Sequence, residues 1–460
     1  MKKSLLFILG TCICFLGQAQ TLQTAYFSED YAYSYRLNPA FHAGYSFVGL
    51  PFIGNSSAAY KGSFSLNDLF YKQAGERVTF MNQAVSSSDF LGNFKKGLNS
   101  ISSESYSTLG AVGFKAGGMY NIVEVNFRNY LSGKLPYDLM RYLKDGATSH
   151  DSFDLSGLRA HATSFMEIGI TSSWKLNRKL TIGMRFKGVI GQQNSYIDMD
   201  RMVIKHIGNE GLPGSTLEVS ADGVLASAYD GYEIASMPAS EGSSVALIDL
   251  RNTRVGEPKG IMNGYGVGAD VGILYDDSSW QLSASVSDIG CIFWFHNLYG
   301  HAPLSTRSIQ VNFTPHTHGT KPIYNEFSDM GALLGDAFGF VMEDEYQALG
   351  LLPLTVRLGA KYLYLSDLSF GGLATFRYDD ICPYFDLRGS VDYKLSKSIE
   401  LIGSIGGGTH GISAGVFANL KWKFINLFAG TDNLFGTAGT AFVPSCKGAP
   451  NGAFGLNIIW

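Results

Sequence analysis

Long segments whose side chains alternate strictly constrain this chain more than anything else in its sequence. In "SFMEIGITSSWK", Met166, Ile168, Ile170 and Trp174 share one face, against Phe165, Glu167, Gly169, Thr171, Ser173 and Lys175. After the turn "LNRK", "LTIGMRFKGVIG" sets Leu180, Ile182, Met184, Phe186 and Ile190 against Thr181, Gly183, Arg185 and Lys187. Residues two apart point the same way in a strand, so each segment has an apolar and a polar face. The pattern recurs in "GYGVGADVGILY", "WQLSASVS", "LTVRLGAKYLYL", "FDLRGSVDY" and "ISAGVFANLKW". Strands of about ten residues can cross a bilayer at a tilt, whereas soluble strands cluster near five or six.

A soluble sandwich alternates as well, and composition separates the two. Charged residues make up 16% of the chain, against about 25% in ordinary globular proteins. The 55 glycines and the 13% aromatic share suit tight turns and apolar outer faces. Strands are expected near 45–54, 105–115, 119–130, 161–175, 179–196, 261–276, 280–290, 354–365, 368–378, 384–395, 398–406, 411–423, 425–433 and 452–460. That is about fourteen, the even count of bacterial barrels. Every second connection is short ("AGG", "LNR", "DSS", "SD", "SK"), whereas 55–104, 131–160, 197–260 and 291–353 are long. The expected fold is therefore all-β, a transmembrane antiparallel β-barrel with short periplasmic turns and long extracellular loops. "STLEVSADGVLAS" and "RSIQVNFT" read either as loop hairpins or as strands that raise the count to sixteen. "PYDLMRYLKDG" and "YNEFSDMGALLGDAFGFV" read as short amphipathic helices in the loops.

The aromatic residues support the same layout. Trp174, Tyr275, Trp280, Tyr364, Tyr393, Trp422 and Trp460 fall on the apolar face, beside short turns or the C-terminus. One interfacial ring at the periplasmic headgroup level accounts for all of them. At the other end, Lys2 and Lys3 precede the apolar run Leu5–Leu16 and the small residues Gly17 and Ala19. This predicts a signal peptide over 1–19 and export to a Gram-negative outer membrane, since the run is too short to span as a helix. Residues 20–44 are expected as a plug or periplasmic segment, and 45–460 as the barrel. Beyond the leader, Cys291, Cys382 and Cys446 form neither a disulfide framework nor a metal spacing. One bridge with a free thiol and no bridge at all both stay open. A net charge of −4 gives no footprint for nucleic acid.

No motif carries enzymatic chemistry. "GISAG" (Gly411–Gly415) has the hydrolase-elbow spacing but opens an alternating strand, with His410 merely its neighbour. "GYGVG" (Gly264–Gly268) has no following helix to receive a phosphate. His316 and His318 in "HTH" lack a fixed third ligand, although Glu343 and Asp344 share the loop. No catalytic residue, metal or cofactor is expected. The polar constellation is the expected lumen face: Glu124, Arg128, Glu167, Arg185, Lys187, Asp270, Arg357, Lys361, Arg377, Asp386, Arg388, Asp392 and Lys421. Mixed charges inside a barrel pair with one another or with a plug, and otherwise line a polar, slightly cationic conduit.

"RLNPAF" (Arg36–Phe41) resembles the Asn-Pro-Ala element near the N-terminus of FadL-like barrels. "ADVGILYDDSSWQLSASVSDIG", "LPLTVRLGAKYLYLSDLSFGG" and "GTDNLFG…NGAFGLNIIW" resemble hairpins of the FadL-like PorV/PorQ outer-membrane proteins of Bacteroidetes. The overall layout is similar to an outer-membrane family defined as a domain of unknown function. The resemblance implies fourteen strands, an N-terminal plug and porin-like transport of small or apolar solutes. Alternatively it implies a scaffold or partner protein of a type IX secretion or gliding assembly, without transport. The implied partners are outer-membrane lipid, secretion-system proteins and the barrel-assembly machinery, whose signal the terminal aromatic strand resembles. The resemblance carries over no ligand residues.

Overall fold

In the computed structural model, residues 22–73, 76–145, 152–207, 215–239, 244–250, 252–311, 339–343, 346–434 and 451–460 are described. The leader, His316, His318, Asp344, Cys446 and most of the second expected helix lie outside them.

The wall closes on itself as an antiparallel barrel of fourteen staves. The first stave is split into β1 (Phe47–Gly49) and β2 (Ser56–Gly62). Next come β3 (Leu98–Ala116), β4 (Met119–Pro136), β5 (Arg159–Lys175) and β6 (Leu180–Ile207). β7 (Ser215–Ala228) stands above β8 (Gly264–Asp276), and β9 (Trp280–His296) continues upward as β10 (Leu298–Val311). The eighth stave is β11 (Tyr346–Leu351) followed by β12 (Thr355–Leu363). The remainder are β13 (Leu368–Arg377), β14 (Tyr384–Ser396), β15 (Ile399–Gly408), β16 (Gly411–Trp422), β17 (Ile425–Thr431) and β18 (Asn451–Ile459). Closure is direct: Val48 stands opposite Ile458 and Ser57 opposite Ala453.

Several expected boundaries are corrected. The first strand does not run through 45–54: Leu50–Asn55 leaves the ladder, where Pro51 lacks a donor and Phe52 takes a left-handed φ of 61°. "STLEVSADGVLAS" and the described part of "RSIQVNFT", Arg307–Val311, belong to neither separate hairpins nor added staves. They are β7 and β10, which pair with each other above the barrel, while β7 also pairs with the upper half of β6. The wall is therefore tall on one side and short on the other, 28 residues in β6 against 7 in β17. The short turn between β3 and β4 is built from Gly117 and Gly118, with φ of 60° and 76°. A two-residue hairpin needs that left-handed pair to match the strand twist.

Burial is inverted relative to a soluble protein. Ile168, Ile170, Phe186, Leu282, Leu358 and Leu387 are exposed, whereas Glu124, Glu167, Arg185 and Asp270 are at most 2% exposed. An apolar exterior around a charged interior is the arrangement a lipid solvent selects. Tyr275 lies at the lower end of β8, and exposed Tyr265 lies ten residues higher on the same face. At about 3.4 Å per residue and a tilt near 40°, that separation is about 25 Å, the height of an outer-membrane apolar band.

Above the band, the outer connections pack into a cap with its own core. Phe80 stacks on Phe90 at 4.3 Å, and Phe64, Leu139, Tyr142, Phe153, Met202 and Ile204 join the cluster. The helix α1 (Ser87–Leu91) starts where Ser86 Oγ accepts from the Asp89 N–H at 3.1 Å. "PYDLMRYLKDG" supplies α2 (Tyr137–Asp145), which buries Leu139, Met140 and Tyr142.

Candidate functional site

The lumen is occupied by the segment Leu22–Gly44, whose Leu22, Tyr33, Tyr35, Leu37 and Asn38 are fully buried. Four tyrosines give it bulk, and three of them also find polar partners on the wall. Tyr26 meets Ser283 at 3.1 Å, Tyr33 donates to Asn457 at 2.8 Å and Tyr35 to Glu124 at 2.5 Å. Tyr31 packs edge-on against Phe417 and Phe428. "RLNP" is seated by absent side chains opposite it. A Cβ on Gly272 would lie 1.9 Å from Asn38 Oδ1, and one on Gly183 would lie 2.0 Å from the Pro39 carbonyl. The Asn38 amide meanwhile donates to the Ile273 and Ala284 carbonyls at 3.2 and 3.3 Å.

Arg36 joins this segment to a buried ionic chain. It bonds Glu124 at 2.5 Å, Asn126 at 2.7 Å and Thr108 at 2.8 Å. Glu124 also receives Arg185, which bonds Glu167 and reaches Asp270 at 3.3 Å. Lys187 spans Asp270 and Asp288, both at 2.6 Å. Arg128 spans Glu167 at 2.9 Å and Asp288 at 2.8 Å, and Arg377 completes the chain on Glu104 at 2.7 Å. The cations Arg36, Arg128, Arg185, Lys187 and Arg377 are thus balanced by Glu104, Glu124, Glu167, Asp270 and Asp288. Buried charges persist when each is paired and hydrogen-bonded, and balance makes this interior a lock rather than a cationic conduit.

A second set of contacts lies along the other wall. Asp432 accepts from the Gln23 and Thr24 N–H groups at 3.0 and 2.7 Å, and Ser28 donates to Glu400. Glu29 pairs with Lys394 and, at 3.2 Å, with Lys361, which also holds Asp392 at 3.1 Å. Asp30 pairs with Lys421 at 2.6 Å. Burial opposes ionisation of Glu29, but Lys361 and Lys394 outweigh it and hold its carboxyl below the ordinary glutamate range. Its contribution to stability is therefore complete above about pH 4.3, the unfolded glutamate value, and is lost as pH falls through the depressed folded value. Because the side chain is 43% exposed, solvent screens the effect and it is small. A series of melting midpoints from pH 6 to 2 is expected to show a drop that Glu29→Gln flattens; identical curves would refute the assignment.

In the upper barrel lies a cavity of about 440 Å³, bordered by β4, β5, β6, β9, β11 and the connection after β13. Its walls include Tyr130, Phe165, Tyr196, Ile292, Trp294 and Leu352, with Arg159, His161, Asn194, Asp198, Asp379 and Asp380 among its polar lining. His161 shares a hydrogen bond with Thr163 at 2.9 Å and one with Asn194 at 2.5 Å. The lining continues from buried Trp294 to outward-facing Leu349 and Leu351, across the edge of β11. That edge is unzipped. β12 pairs with β13 up to the Leu354 carbonyl and the Tyr378 N–H at 2.8 Å, but β11 pairs with β9 alone among the described residues. Pro353 breaks the ladder there, and the connection after β13 folds inward until Cys382 Sγ reaches the Ile101 and Gly133 carbonyls. A wider depression of about 710 Å³ lies outside the wall over Ile273, Leu282, Leu358 and Leu387, where lipid chains would lie.

The residues of the expected lumen face all have partners here. Arg357 reaches Ser287 at 3.1 Å, Arg388 reaches Asp386, Ser404 and Ser413, and the others are placed above. Of the expected ring, Tyr275, Trp280, Tyr364, Tyr393, Trp422 and Trp460 are exposed and Trp174 is half-buried. Strict alternation missed Asp288, which would fall outward with Trp280, Leu282, Ala284 and Val286. Its left-handed φ of 64° forms a bulge that turns both Ser287 and Asp288 inward. It also missed Glu104, Glu400 and Asp432, and it gave no role to Arg36, Glu29 or Asp30. In "GISAG", Ser413 accepts from Arg388 at 2.9 Å within β16, and "GYGVG" runs straight along β8. Among the described residues, no three His, Cys, Asp or Glu side chains gather as a metal site, and Cys291 and Cys382 are free thiols.

The sequence profile of a family described as "Family of unknown function (DUF5723)" matches residues 39–432. The chain belongs to this family. None of the curated proteins compared with it matches. Similar solved structures include a FadL homologue of Pseudomonas aeruginosa, 10% identical over 96% of this chain and 99% of that one, with a TM-score of 0.42. The toluene transporter TbuX of Ralstonia pickettii and the toluene transporter TodX of Pseudomonas putida are each 8% identical over 96% of this chain and 94% of theirs. Both have TM-scores of 0.38.

Proposed function

We propose that this family member is a non-enzymatic outer-membrane channel for small, largely apolar solutes, delivered to that membrane by the leader at 1–19. The observation that carries the reading is the aromatic cavity in the upper barrel, open at an unzipped seam. A cavity of this size, mostly apolar with a few convergent polar groups, is what a small-molecule site requires. The seam offers such a solute a side entrance at the upper edge of the apolar band. The ring near the short turns fixes the barrel in the bilayer, and the segment Leu22–Gly44 closes the straight route below.

The test fills the cavity. Ala348 faces inward opposite Trp294, so Ala348→Phe inserts a ring into the space. Binding of a neutral alkylbenzene, followed by titration calorimetry on the detergent-solubilised protein, is expected to weaken about tenfold or more, the value of losing a buried apolar contact. The variant should stay resistant to SDS without heating. Unchanged affinity would remove the cavity from the reading.

A further inference from the structure

We propose that the cavity selects solutes carrying a cationic amine beside an apolar body. This rests on the cavity being the solute site and adds the charge of the solute. Two independent features of the lining point to it. The first is the ring faces. Tyr130 and Phe165 are already faced by Arg128, at 5.2 and 5.5 Å. Among the described residues, no cation of the protein lies over Tyr196 or Tyr378, which line the same space, whereas Trp294 is packed against Gly191 and Gly350 and Tyr346 stacks on Tyr299 at 4.6 Å. Ring faces attract a cation within about 6 Å, most strongly when water is excluded.

The second feature is the charge of the lining. Asp198, Asp379 and Asp380 stand against the single guanidinium of Arg159, which bonds Asp198 at 2.8 Å. Asp379 spends one oxygen on the Ile381 and Cys382 N–H groups at 3.0 and 3.1 Å, and Asp380 meets the Tyr378 hydroxyl at 3.4 Å. Neither has a cation partner among the described ion pairs. A wider circle adds Asp200, 3.7 Å from Arg159, and Lys134, whose charge acts on the neighbouring Cys382, so the excess of negative charge is unchanged. Arg377 bonds Glu104 and its charge also acts on Asp379; as a pair with Glu104 it leaves the count unchanged. A concave site of one sign concentrates the opposite charge and repels its own, here partly screened by water because Arg159 and Asp198 are about a third exposed. An anionic solute would meet uncompensated carboxylates, a neutral one would gain burial alone, and a cation would gain the rings and the carboxylates together.

The experiment compares two probes of nearly equal shape, phenyltrimethylammonium and tert-butylbenzene, on the full chain in an uncharged detergent by titration calorimetry. The cation is expected to bind about tenfold tighter. The D379N/D380N double variant should bring the two affinities within about twofold while neutral binding holds. Should the double variant fail to fold, D380N alone is expected to lower the ratio about threefold, and a ratio unchanged in the folded variant overturns the proposal. If the neutral probe binds as tightly as the cation, the charge preference is wrong and the apolar-solute reading stands. If neither binds, both fall.

Discussion

Replacing Glu124 with glutamine is expected to cost about 3–5 kcal/mol of stability, the usual price of leaving a buried charge without its partner. Glu124 is the junction at which Arg36 of the lumenal segment and Arg185 of β6 meet. The neutral amide still accepts one hydrogen bond but leaves two guanidinium groups to share the remaining carboxylates. Removing Arg36 instead, as Arg36→Met, leaves Glu124 paired with Arg185 and should cost distinctly less. The double variant should fall short of the sum, because residues in one network do not act additively. Urea unfolding in lipid vesicles measures all three. Equal effects of the two single variants, adding without coupling, would mean that Arg36 does not latch the segment through Glu124.

The second large effect is expected from Gly272→Val, which loosens the same segment without touching a charge. The new side chain would occupy the space of Asn38 Oδ1, and β8 cannot retreat because it is paired along both edges, to β6 and β9. The "RLNP" stretch must therefore move. The barrel should still form, since its ladder is unchanged, but planar-bilayer conductance should rise from near zero to discrete channels. Gly403→Val, a wall glycine with nothing within 4 Å of its Cβ position, should leave conductance at the wild-type value. Similar conductance in both variants would show that the segment is not what closes the lumen.

The sequence made the barrel legible because one rule, alternation, acts on every stave. Ile168 and Ile170 against Glu167 and Gly169 reveal two faces without knowledge of any partner strand. The rule fails where a bulge shifts parity, as at Asp288, and above the membrane, where both faces are packed and the period fades. Hence β7 and β10 read as loop hairpins or extra staves rather than as a wall extension, and β11 was hidden within a long loop, although Pro353 was a visible sign of a broken ladder. The ionic lock was half legible. Its wall residues follow from parity, but Arg36, Glu29 and Asp30 lie in a segment without regular period, and only folding brings them to their partners. The cavity was not legible at all. His161, Trp294 and Asp379 come from separate strands and a loop, and no spacing in the chain relates them.

Solute flux tests the account most directly. With the protein reconstituted in lipid vesicles, entry of a radiolabelled alkylbenzene amine is expected to be saturable, reduced about tenfold by Ala348→Phe, and unaffected by Gly403→Val. Flux that rises linearly with concentration and equals that of protein-free vesicles, from a barrel that still resists SDS until boiled, would contradict it.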